Sequence, residues 1–84
     1  MMADDMKNTI KELTLMLMYL TSWKENEFGM EYLRTWKGYD FDILNELTDE
    51  DLIGGSYRSK SAYIKEKGER LAKDLLKKYG IENI

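Results

Sequence analysis

The chain reads as an α+β protein, winged-helix-like and mostly helical, with one small β-hairpin ahead of a C-terminal helix. Three observations carry that reading. Apolar residues recur at helical spacing near both ends, a capped helix start stands in the middle at Asp40, and two short β-favouring segments flank a polar loop just before the last helix. With 84 residues there is room for one domain, taken as residues 1–84.

The first helix can start at Asp4 or Asp5, with a second start at Thr9, where Thr9-x-x-Glu12 has capping-box spacing, and it should run to about Trp23. Met6, Ile10, Leu13, Leu17 and Leu20 form one stripe at spacings of four and three, while Leu15, Met16, Met18 and Tyr19 fill the other faces. A helix apolar all round either threads the centre of the fold or turns its spare face to a second subunit. Leu13, Leu17, Met18 and Leu20 are therefore the expected seam of a homodimer.

Lys24 to Thr35, broken by Gly29, offers only a hint of one helical turn at Met30, Tyr32 and Leu33, and its conformation is left open. Trp36-Lys37-Gly38-Tyr39-Asp40 then reads as an anchor, a turn and a helix start. Trp36 is expected to be mostly buried, Tyr39 to pack on Leu44 as a hydrophobic staple, and Asp40 to cap a helix from Phe41 to about Asp51. Leu52–Gly55 and Ser61–Ile64 are the strands of the hairpin, and Gly54–Lys60 is its loop. The last helix spans Glu66–Tyr79, with Leu71, Ala72, Leu75, Leu76 and Tyr79 on its apolar side, Lys77 and Lys78 at its negative end, and Gly80 with Ile81 as its C-cap.

Leu13 to Thr21, Arg34 to Leu44, Leu52-Ile53 and the Lys60–Gly68 junction together resemble a family of small uncharacterised prokaryotic proteins, a domain of unknown function with a Trp-Lys-Gly-Tyr-Asp motif, here residues 36–40. The resemblance covers most of residues 12–79. Two departures stand out: Glu25–Leu33 looks like an insertion, and Lys65 stands where the strand-to-helix junction usually has Thr, which removes a cap. The resemblance implies no activity.

Hydrophobic residues are 43% and charged residues 35% of the chain, the balance of a globular protein, and the net charge is −3. Without cysteine or histidine there is no disulfide, no thiolate or imidazole metal site and no imidazole base, which leaves oligomerisation as the reinforcement for a small core. A Gly-rich phosphate loop is missing too, and a chain this short has little room for a pocket of ~300 Å³ or more, so no enzyme, no cofactor and no small-molecule substrate are expected. Neither a signal peptide nor a membrane span is expected, which makes the cytoplasm the default location.

Function is then read from charge. Residues 40–51 hold six acidic and no basic residues, a helix that phosphate would repel, and Asp49-Glu50-Asp51 lacks the spacing and glycine of a calcium loop. Residues 54–78 hold eight basic residues against three acidic ones, so a nucleic acid would meet the hairpin and last helix through Arg58, Lys60, Lys65, Arg70 and Lys73. The same lysines also suit the solvated face of an amphipathic helix. Trp23, Trp36, the six tyrosines and the six methionines read as core or interface anchors rather than base-stacking groups. The expectation is a binding or assembly module, homodimeric through its first helix, with a protein partner ahead of DNA and the winged-helix regulator as the alternative.

Overall fold

The computed structural model describes residues 2–55 and 60–81. Their order is α1 (Met2–Leu20), β1 (Trp23–Glu27), β2 (Met30–Trp36), α2 (Phe41–Asp49), β3 (Ile53–Gly54), β4 (Ser61–Ile64) and α3 (Glu66–Lys78). The four strands form one antiparallel sheet in the order β1-β2-β4-β3. The α+β class holds, but a four-stranded sheet stands where the sequence indicated one hairpin. It also makes β4 an interior strand, where a winged helix would leave its hairpin projecting.

The unexpected half of the sheet is the stretch left open in the sequence. Phe28 and Gly29, at φ 53° and 80°, link the paired residues Glu27 and Met30, so the connection is a two-residue turn with both central residues at positive φ, as a type I′ hairpin requires. Residues 30–33 are therefore strand, not helical turn, and the apparent insertion at Glu25–Leu33 supplies most of a hairpin that completes the sheet.

Alternation along β2 sets the two faces. Leu33 and Thr35 pair with Ile64 and Ala62 on the inner face, which packs on the helices, while Tyr32, Arg34 and Trp36 look outward. The core joins Leu15, Met16 and Met18 of α1 to Ile43, Leu44 and Leu47 of α2, with Leu52, Ile53, Ala62, Ile64, Ala72 and Leu75; Leu33 and Tyr39 pack at its edge. Burying such side chains stabilises by about 1.5 to 3 kcal/mol each, which makes this cluster the main cohesive element.

Caps fix the helix positions. Asp40 Oδ1 accepts hydrogen bonds from the backbone N–H groups of Asp42 (2.9 Å) and Ile43 (3.2 Å), so α2 starts at Phe41 as its sequence requires. It ends with Asp51 at φ 65°: the Asp51 N–H donates to Thr48 O and the Leu52 N–H to Leu47 O, both at 3.0 Å. The same pair of bonds ends α3, where Gly80 (φ 72°) donates to Lys77 O and Ile81 to Leu76 O. Thr9 caps nothing; it lies inside α1 and its hydroxyl donates to Asp5 O. Gly68 is the tightest of the described glycine positions, since a Cβ there would lie 2.1 Å from Leu52 O.

Candidate interaction surfaces

The apolar stripe of α1 faces solvent. Met6, Ile10, Leu13, Leu17 and Leu20 are 38–58% exposed, while Leu15 and Met18 on the opposite face and Met16 at the border are buried. Of the four residues expected in a dimer seam, Leu13, Leu17 and Leu20 therefore lie on the open face. Met18 does not: at 0% exposure it belongs to the core of its own chain, because the helix turns its 15/18 side toward the sheet. Met6 and Ile10 continue the open face instead, and this exposed stripe steps 4-3-4-3 along two heptads with no charged residue in it. Beside it, Lys7 reaches Glu46 at 2.8 Å and Lys11 pairs with Glu46 and Glu50, so the acidic side of α2 is spent in holding α1. The hydrogen bond to Glu46 also raises the Lys7 ammonium above its ordinary pKa.

The basic residues proposed to meet nucleic acid are less available than their number suggests. Arg58 lies outside the described residues. Lys60 and Arg70 are exposed; Lys65 pairs with Asp51 at 2.5 Å and Lys73 with Glu69 at 3.1 Å. Hydrogen bonding to those carboxylates raises both lysines above their ordinary values, and Lys65 in turn lowers Asp51. Among the described residues no three acidic side chains converge in a way that could hold a metal ion.

The outward face of the sheet was not anticipated from the sequence. Arg34 sits at its centre, opposite Trp23 on β1 and Tyr63 on β4, with Tyr32 and Trp36 on either side of it along β2. Four aromatic residues thus flank Arg34 in the register of this face. The rings meet in two pairs, Trp23 with Trp36 at 5.4 Å and 51°, and Tyr32 with Tyr63 at 5.9 Å and 62°. Trp23 Nε1 donates to Glu25 Oε2 at 2.7 Å, and the Tyr63 ring lies across Gly54, where a Cβ would meet it at 2.7 Å. Trp36 is 60% exposed, which corrects the expectation of a buried anchor: Thr35, its neighbour, takes the inward position at 0%. Asp40 caps α2 as expected, and Tyr39 is partly buried against the core cluster.

Where β2 runs past the end of β4, an open groove of about 550 Å³ lies between Tyr32, Tyr63 and the start of α3. It is larger than the chain length led us to expect, because the sheet, the β2 overhang and the helix end enclose it jointly. No helix among the described residues is long and apolar enough to cross a membrane.

A family model described as a domain of unknown function (DUF6429) matches residues 6–82. No curated protein and no solved structure matches the chain.

Proposed function

We propose, for a chain that belongs to the DUF6429 family of unknown function, a cytoplasmic binding and assembly module rather than an enzyme, homodimeric through α1 and directed at a protein partner. The observation that carries this reading is the exposed stripe of Met6, Ile10, Leu13, Leu17 and Leu20. Its 3.5-residue period is that of a two-helix seam, and a second copy of the same stripe is its natural complement, aliphatic against aliphatic with no charge to desolvate. The core of the chain uses the other side of the helix, so pairing costs the protomer none of its own packing.

Nucleic acid is the weaker reading. Binding to phosphates needs Lys and Arg that can displace the cations condensed on the nucleic acid, and Lys65 and Lys73 already have carboxylate partners.

Sedimentation equilibrium tests the dimer. The unmodified chain is expected to self-associate at micromolar concentration, and Leu17→Glu to be a folded monomer. A monomer at high micromolar concentration in the unmodified protein overturns the reading.

A further inference from the structure

We propose that the tip of the β1–β2 hairpin is an assembly arm, and that Phe28 of one copy fills the apolar pocket between α2 and β3 of another. This contact is additional to the α1 seam and stands without it.

The arm is unusual in conformation and in reach. Phe28 is fully exposed, so its ring adds nothing to the packing of its own chain, and it stands at φ 53°, where a bulky side chain is costly. Strain of that kind persists where a function holds it. The hairpin also projects. β2 pairs with β4 only from Leu33 onward, which puts Gly29 of the turn four residues, about 13 Å, past the last pairing.

The pocket selects the occupant. It measures about 160 Å³ and is walled by Phe41, Leu44, Ile53 and Ala62. A cavity of ~150 Å³ lined by Leu, Ile and Phe accepts one benzene, so volume and lining match a single phenyl ring. The chain has two phenylalanines; Phe41 is part of the wall, and Phe28 is the one left to enter. Charge agrees. Residues 24–31 hold Glu25, Glu27 and Glu31 against Lys24, while Lys37 lines the pocket and no carboxylate does so among the described residues.

Geometry makes the contact intermolecular. The turn lies beyond the Leu33–Ile64 end of the β2–β4 pair, whereas Ala62 pairs with Thr35, six residues or about 20 Å from Gly29. Phe28 therefore cannot reach its own pocket. Two different surfaces meet, so the contact is heterologous and can propagate from copy to copy. One buried ring supports only about millimolar affinity, which keeps the contact silent between single copies at micromolar concentration.

Methyl NMR of Leu44, Ile53 and Ala62 tests it, with Leu17→Glu in every chain to silence the α1 seam. The labelled protein carries Phe28→Asn and keeps its pocket. The unlabelled one carries Asn45→Trp, which lays an indole over the pocket mouth, and keeps its arm. Adding the second to the first is expected to shift the three sets of methyls saturably, with a midpoint of about 1 mM. An unlabelled chain with both Phe28→Asn and Asn45→Trp is expected to shift them at least about fivefold less. Circular dichroism checks each variant: Thr48→Trp replaces Asn45→Trp if that one unfolds, and if Leu17→Glu unfolds the same mixing is done with Leu17 intact, where the chain lacking Phe28 controls for the seam. The proposal is overturned if the methyls do not move up to about 3 mM, or if the chain lacking Phe28 moves them equally.

Discussion

Lys65 Nζ lies 2.5 Å from Asp51 Oδ1, and that ion pair joins the end of α2, held at positive φ, to the start of α3, which no side chain caps. The pairing holds Asp51 below its ordinary value of 3.8 and Lys65 above its ordinary 10.5. A lowered carboxylate contributes stability that is complete above 3.8 and lost as pH falls through the depressed value; a raised ammonium contributes stability that is complete below 10.5 and lost as pH rises through the raised one. Thermal melts should therefore show the unmodified chain gaining most over Asp51→Asn at neutral pH and converging with it in strong acid and strong base. A difference independent of pH would show that the pair contributes nothing.

The N-cap of α3 gives a second prediction. Lys65 has extended dihedrals and makes no side-chain cap hydrogen bond. Lys65→Thr supplies an acceptor and removes a positive charge from the positive end of the helix, a gain of about 0.5 to 2 kcal/mol for the cap, less the small contribution of the lost surface pair. Urea denaturation is expected to show a net gain. A net loss would rank the tie to Asp51 above the cap.

Gly68 permits no side chain. Because a Cβ there would fall 2.1 Å from Leu52 O, a backbone atom, Gly68→Ala must push α3 off the segment that links α2 to β3. The expected cost is about 3 kcal/mol, the upper end for overpacking. A loss under about 1 kcal/mol in urea denaturation would mean that the helix shifts freely.

Phe28 is fully exposed at φ 53° on the first central position of its turn, where Asn is the favoured residue. Phe28→Asn is expected to raise stability by about 1 kcal/mol, since the ring covers nothing and the αL conformation is costly for a bulky side chain. Calorimetry checks it; a lowered melting temperature would mean that the ring contributes contacts in solution.

The two sides of α1 should answer differently to one change. Met18→Glu puts a carboxylate in the core and is expected to unfold the chain, whereas Leu17→Glu, one residue away on the open face, should leave circular dichroism intact. Equal effects would contradict the orientation of α1.

Much of the framework was legible. Asp40 as a cap, Glu66 as a helix start, and Gly80 with Ile81 as a helix end all follow from local chemistry, and the structure places them where their side chains and dihedrals require. The first hairpin was not, because its turn is Phe-Gly and its first strand, Trp-Lys-Glu-Asn-Glu, is polar. A period-2 signal was nonetheless present: Tyr32, Arg34 and Trp36 alternate with Leu33 and Thr35. Reading that alternation would have put Trp36 outside and revealed the aromatic face. Helix α1 misled for the opposite reason, since its cleanest stripe is the exposed one and periodicity alone cannot say which apolar side meets the chain's own core.

The molecule is a slab, 44 × 32 × 18 Å, with helices as one layer and the sheet as the other. If two copies join at α1, as proposed, their sheets face away from each other, because α1 turns its 15/18 side to its own sheet. A ligand that covers one sheet then cannot bridge both, and only a longer partner with repeated motifs would link one dimer to the next, so valency rather than single-site affinity would set how tightly it is held.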